Sequence, residues 1–363
     1  MSDSVPPHSA AAPEVVDDIN DDGDSAFGED DQGNWGSTTN SIGSSILRYR
    51  QENGRTYHAY KDGKYLLPND EVRVEPITFS YKKGNDIFRQ ASGANNLQGE
   101  NDRLDLQHHM YYLTLKGKLY IAPIPEDQKL HRVLDLGTGT GIWAIDFADE
   151  HPESDVLGVD LSPIQPGFVP PNCHFEIDDI EEPWTYSYKF DFINMRMMVG
   201  TIVDWPKCFK QCYDNLNPGG WMEIKDIKFP IEDNDSSFPP DCAVKKWADL
   251  ILEGTTVVGR ACDSAKNYKR QLEDAGFMNV VEIRYKWPMN RWPKDKELKE
   301  LGAWMHENFS TGLSGLSMAV FTRALGWSQE ELEVFLISVR KDMRNTKIHG
   351  YYPIYAVYGQ KSF

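Results

Sequence analysis

Val133-Leu134-Asp135-Leu136-Gly137-Thr138-Gly139-Thr140-Gly141 is the stretch on which the fold turns. Residues 132–136 read as a strand, because a short apolar run bounded by a turn signal suits a strand buried in a sheet. Glycines at 137, 139 and 141 permit a tight turn and let a ligand come close to the backbone. A helix follows through about Glu150. Its first N–H groups are unpaired and its N-terminus carries partial positive charge, so an anionic group would be held there. Two anions compete for that place, a pyrophosphate and a carboxylate. The dinucleotide fingerprint GxGxxG needs glycine at 142, where Ile142 stands. Asp135, two residues before the first glycine, would repel pyrophosphate and suits an ammonium group. A ligand bearing both ammonium and carboxylate is an amino acid.

Downstream text extends the pattern. Residues 155–159 read as a second strand with Asp160 at its end, 19 residues after Gly141. A carboxylate there accepts both hydroxyls of a ribose. Residues 173–177 read as a third strand, followed by Asp178-Asp179-Ile180. Asp179 is placed to accept from an adenine amino group and Ile180 to pack on the ring. Acidic residues at three successive strand ends, in this order, describe an amino acid, a ribose and an adenine, which together are S-adenosylmethionine. A fourth strand at 190–195, a helix at about 204–216, the turn Asn217-Pro218-Gly219-Gly220 and a fifth strand at 221–227 follow. Strands separated by helices imply an α/β fold with a mostly parallel sheet and right-handed crossovers. A helix at 264–275 stops at Gly276, and 280–286 reads as strand. Helical segments near 296–308, 315–325 and 328–342 come next, the last with Ser328 as N-cap and Glu331 at N3. A strand at 354–359 ends the pattern. A helical insertion of about 288–350 therefore separates the last two strands and can cover the ligand edge of the sheet.

Upstream, 100–120 reads as a helix ended by Pro123 and Pro125, and 46–53 as a short helix ended by Gly54. Residues 46–124 thus form a helical arm or lid before a cofactor-binding domain at 125–363. The arm's aromatic-rich motifs are too apolar for a free linker. Residues 1–45, rich in Asp, Ser, Gly, Asn and Pro, cannot bury enough apolar surface to offset chain entropy and read as a disordered acidic tail. They hold ten acidic residues and no Lys or Arg, so of the net charge of −18 the rest of the chain carries −8. This acidic balance argues against direct nucleic-acid binding and against anionic membranes. No run of about 18 apolar residues suggests a membrane span. The polar N-terminus is unlike a signal or transit peptide. Five cysteines without a CxxC suit a reducing compartment. Cys208 and Cys212, four apart on a helix, lack a matching Cys/His pair and read as core packing, so no metal is expected.

At these residues the chain resembles the fungal LaeA-like methyltransferases, over about 46–363. The motifs include Tyr57-His58-Ala59-Tyr60-Lys61-Asp62-Gly63-Lys64-Tyr65, Arg103-Leu104-Asp105-Leu106-Gln107-His108, residues 134–146, Asp160-Leu161-Ser162-Pro163-Ile164-Gln165-Pro166, Asp204-Trp205 and Pro218-Gly219-Gly220-Trp221. The resemblance implies a class I methyltransferase fold, Rossmann-like, with a seven-stranded sheet in the order 3-2-1-4-5-7-6 and an antiparallel last strand. It implies S-adenosyl-L-methionine as cofactor. For some members it implies a nuclear location and association with velvet-type regulators, while others act in biosynthetic clusters. A cytoplasmic location is the alternative. At 194, where the resemblance leads us to expect His, the chain has Asn, and Asn cannot act as a general base.

Methyl transfer is an in-line displacement at an activated sulfonium methyl, so the enzyme's main task is alignment. A base is needed only where the nucleophile is protonated. His58, His108, His109 and His306 are the candidates, each also able to serve structure alone. Arg103 can hold the cofactor carboxylate or pair with Asp105 or a neighbouring Glu. Met195, Met197 and Met198 either face the adenosyl group or fill the core. Three functions fit: a nuclear regulator methylating a protein, a small-molecule methyltransferase tailoring a secondary metabolite, and a cofactor-binding scaffold with little turnover.

Overall fold

A computed structural model describes residues 50–52, 55–57 and 100–363. Strands β1 (Arg50–Glu52) and β2 (Arg55–Tyr57) pair antiparallel with Glu52 opposite Arg55. This corrects the helix expected over 46–53. The sequence between the strands, Asn53-Gly54, is the dipeptide that two-residue hairpins favour, because both central residues of such a turn need positive φ. The tail at 1–45 and most of the arm before residue 100, including His58, lie outside the described residues.

Helix α1 spans Glu100–Thr114. It ends six residues before the expected stop at 120, because Lys116 and Gly117 take φ of 56° and 82°. The α/β core follows as β3 (Arg132–Leu136), α2 (Ile142–Glu150), β4 (Asp155–Asp160), β5 (Cys173–Ile177), β6 (Phe190–Arg196), α3 (Trp205–Asn215) and β7 (Leu216–Ile227). Then come α4 (Ala243–Val257), α5 (Tyr268–Ala275), β8 (Met278–Pro288), α6 (Lys296–Ala319), α7 (Gln329–Arg344) and β9 (Tyr351–Gln360). The sheet order is β5-β4-β3-β6-β7-β9-β8. Counted among the sheet strands alone this is 3-2-1-4-5-7-6, as expected, and β9 runs antiparallel to both neighbours.

Alternate residues of each strand face opposite layers. Leu134, Leu136, Ile193, Met195, Met222 and Ile224 pack with Phe209 of α3 and Leu272 of α5. Val133, Val156, Phe192 and Trp221 pack with Trp143 and Phe147 of α2. A third cluster joins Trp247 of α4, Leu313 of α6 and Leu336 of α7 to Met110 and Tyr111 of α1. This helical cap includes the insertion between β8 and β9, and α1 rests on it.

Local signals place most ends. Asp204 caps α3 by accepting from the Lys207 N–H at 3.0 Å, and Ser328 and Glu331 form a reciprocal capping box on α7. Gly276 closes α5 at φ 105°. Two helical features depart from expectation. Helix α4 has no counterpart in the sequence reading. The expected segments at 296–308 and 315–325 are one helix, α6, running straight into a π-helical turn at Val320–Ala324. All five cysteines are buried free thiols, and Cys208 and Cys212 lie on the buried face of α3.

Candidate active site

The glycine-rich loop joins β3 to α2, with φ of 67°, 58° and 82° at Gly137, Gly139 and Gly141. These are left-handed conformations that side chains with a Cβ resist. Gly141 is the N-cap of α2 and has no side chain with which to bond the helix's first N–H groups. Asp160, at the end of β4, is bolted to this loop. Its Oδ2 accepts the Gly139 N–H at 2.8 Å and its Oδ1 the Ser162 N–H at 3.0 Å. Gln165 donates from Nε2 to the carbonyls of Gly139 and Ser162 at 2.6 and 3.0 Å. Beyond β5, the Asp178 N–H donates to the Asp160 carbonyl at 3.1 Å. Asp179 and Ile180 are both buried, and Asp179 Oδ1 accepts from the Glu181 N–H at 3.1 Å. Asp135, Gly137, Gly139, Gly141, Asp160, Asp179 and Ile180 therefore gather at the carboxyl ends of three adjacent strands, where α/β sheets bind ligands.

Asp135 lies deeper than its position in the sequence suggests. Its carboxylate is 3% exposed, accepting from Thr138 Oγ1 at 2.6 Å and from Asn194 Nδ2 at 2.7 Å. Burial pushes its pKa up, while the nearby Arg196 guanidinium pulls it down. Asn194 is thus a bridging amide within the sheet. Its Oδ1 accepts from Lys225 Nζ at 3.0 Å, and Lys225 pairs with Glu223. Glu223 Oε2 in turn accepts the N–H groups of Ile121 and Ala122 at 2.8 and 2.6 Å. Asn194, Glu223 and Lys225 are each 0% exposed. Strand register lines the row up, with Asp135 beside Asn194 and Asn194 beside Glu223. Sequence reasoning missed Lys225 and Glu223, although their two-residue spacing in a strand places both charges on one face.

Helix α1 covers the loop. Asp105 Oδ1 accepts from Thr140 Oγ1 at 2.7 Å, and burial raises the Asp105 pKa to about 6. A Cβ at Gly139 would stand 3.4 Å from Leu104 Cδ1. Arg103, expected as a candidate for the cofactor carboxylate, points elsewhere. It pairs with Glu100 through Nε, at 2.8 Å, and NH2, and donates from NH1 to Asn308 Oδ1 of α6 at 3.1 Å. Of the candidate bases, His108 is held on both ring nitrogens. Arg196 NH1 lies 3.3 Å from its Nδ1, and Asp146 Oδ2 lies 3.0 Å from its Nε2. Arginine can only donate, so Nδ1 accepts and the ring proton sits on Nε2. Burial lowers the His108 pKa. His109 packs edge-on against Trp304 with ring centroids 5.2 Å apart, and His306 lies 3.4 Å from Ser310 Oγ. The methionines divide between roles: Met195 is core, Met197 accepts from the Tyr111 hydroxyl at 3.2 Å, and Met198 packs its sulfur where a Gly137 Cβ would stand.

Residues 106–282 match the family described as methyltransferase domain. The chain is 35% identical over 328 residues to the methyltransferase pytC of Aspergillus terreus, covering 90% of this chain and 92% of that one. It is 34% identical to the secondary metabolism regulator LAE1 of Cochliobolus heterostrophus, over 83% of this chain and 91% of that one. With the protein-methionine methyltransferase laeA of Emericella nidulans it shares 32% identity over 84% of this chain and 74% of that one. The chain is a LaeA-like methyltransferase. It has the class I fold, and its cofactor is S-adenosylmethionine. That cofactor supplies an electrophilic methyl on a sulfonium. In this methyltransferase the residues present fit it: a helix start that Gly141 has no side chain to cap, a loop of left-handed glycines and carboxylates at successive strand ends.

Proposed function

We propose that this methyltransferase regulates secondary metabolism by methylating a protein, at an atom that carries no proton to be removed. The observation that carries the reading is His108. The imidazole that α1 brings beside the loop has both nitrogens engaged, so it holds no free lone pair for a proton. A thioether sulfur needs no base, and the Emericella nidulans relative is named a protein-methionine methyltransferase. The cofactor's methionine end is assigned to Asp135–Gly141, its ribose to Asp160, and its adenine to Asp179 and Ile180. Asp135, being buried, acts on the ammonium through its charge rather than as an exposed ligand. Relatives named secondary metabolism regulators support the regulatory role, and with it goes a nuclear site of action beside velvet-type regulators, as the family resemblance implies for some members.

The test is mass spectrometry of co-purifying proteins and of metabolites in matched strains carrying wild-type chain or Asp160→Ala. A protein methylation present only with the wild type is expected, with velvet-type proteins among the partners. A methylated metabolite lost without any change in protein methylation would replace this reading with a small-molecule tailoring enzyme. No change in either pool would make the chain a cofactor-binding scaffold.

A further inference from the structure

Arg196 closes strand β6 next to the glycine-rich loop, where the carboxylates of Asp135, Asp146 and Asp105 act on its charge without touching it. Among the described residues no Asp or Glu oxygen lies within ion-pair distance of it. Its one hydrogen bond goes to the accepting Nδ1 of His108, and its guanidinium stands 5.5 Å from the centre of the Tyr111 ring. A guanidinium carries five N–H donors in a planar fork that matches a carboxylate. A partly buried arginine with donors in reserve is costly unless an anion completes it.

Its surroundings select the anion. Arg196 is two residues from Asn194 on β6, so the two side chains share a sheet face. Asn194 lies opposite Asp135 and binds its carboxylate. The carboxyl edge of the sheet thus sets an anion, Asp135, beside a cation, Arg196, the charge pattern of an α-amino acid reversed. Arg103, the other candidate, is already taken by Glu100 and Asn308.

We infer that Arg196 receives the carboxylate of the cofactor's methionine moiety, with His108 as the positioning residue that orients its guanidinium. The His108 ring is fixed in turn by Asp146 on α2, so the helix that follows the glycine-rich loop also holds the arginine beside it. The inference rests on placing the methionine end of the cofactor at Asp135–Gly141.

Decarboxylated S-adenosylmethionine, which lacks only that carboxylate, separates the two ideas. Calorimetric titration of the full chain should show S-adenosylmethionine binding about 10- to 100-fold tighter than the decarboxylated compound, the range for a charge-assisted hydrogen bond. In Arg196→Met the preference should vanish, because affinity for S-adenosylmethionine falls while that for the decarboxylated compound holds. Arg196→Lys should keep part of the preference, and Arg103→Met should keep all of it. Equal affinity of the wild type for the two compounds would overturn the inference. So would a preference that survives in folded Arg196→Met or disappears in Arg103→Met. A wild type that binds neither compound would instead sink the cofactor placement itself.

Discussion

Both carboxylate oxygens of Asp160 accept backbone N–H groups, so this residue shapes the loop as well as offering the ribose an acceptor. Asp160→Ala should weaken S-adenosylmethionine binding by about 1–3 kcal/mol, roughly five- to 150-fold, as read by calorimetric titration. Gly139→Val should lose more, because a β-branched side chain is strained at φ 58°. Affinity unchanged in both folded variants would detach the cofactor from this loop. Asp105 supports a pH prediction. Its pKa is raised from 3.8 to about 6 in the folded chain. Between about pH 4 and 6 the folded state holds a proton that the unfolded state has lost, so stability falls as pH rises through that window and levels off above it. Asp105→Asn still accepts from Thr140 and should abolish this slope. The variant should melt higher than wild type at pH 7.5, by up to about 3 kcal/mol of stability, and match it near pH 4. Identical melting-pH profiles would count against a neutral Asp105 at low pH.

At the scale of elements, glycines on α6 allow helices and strands to approach closely. A Cβ on Gly302 would fall on the Asn290 carbonyl oxygen, and one on Gly312 would stand 2.7 Å from Arg103 Cδ. Gly302→Ala should lower the melting temperature by the cost of overpacking, about 1–3 kcal/mol, while the folded fraction keeps its cofactor affinity. An unchanged melting temperature would mean that the backbone yields easily there. The same glycines explain why the sequence reading divided α6. Ser-Thr-Gly-Leu-Ser-Gly at 310–315 looks like a break by propensity, yet tertiary contact carries the helix through it. Helix α4 escaped for a related reason. Its N-cap, Cys242, makes no capping hydrogen bond of its own, and the N–H groups of Ala243 and Val244 are met by Asp342 of α7 at 2.6 and 3.2 Å. A cap supplied from 98 and 99 residues away leaves no local mark. The sheet was legible because period, turn glycines and strand-end acids all act locally. Arg103, His108 and Lys225 were not, because their roles depend on which strand or helix comes to lie beside them.

The whole molecule joins two bodies of packing, a sheet with its flanking helices and a helical cap, and α1 belongs to both. It holds Thr140 through Asp105 while Met110 and Tyr111 enter the cap's core. Ligand binding and the seating of α1 should therefore be coupled. Protease cleavage within 100–114 should slow on adding S-adenosylmethionine, whereas deleting residues 1–40 should leave affinity nearly unchanged, since that segment has no core-forming pattern. Cleavage of α1 at a rate indifferent to ligand would separate the helix from the site. The buried row from Asp135 to Glu223 also has a mechanical meaning. Glu223 grips the backbone of Ile121 and Ala122, and the Leu119 carbonyl accepts from Trp143 Nε1 at 3.0 Å. Tension applied from the N-terminal side would first peel α1 from its two neighbours. It would then meet a clasp made of a buried carboxylate, which on letting go would lose two N–H donors from Oε2 and keep only Lys225. The chain is thus anchored one connector ahead of its first sheet strand, and force that opens the ligand site stops short of the sheet that builds it.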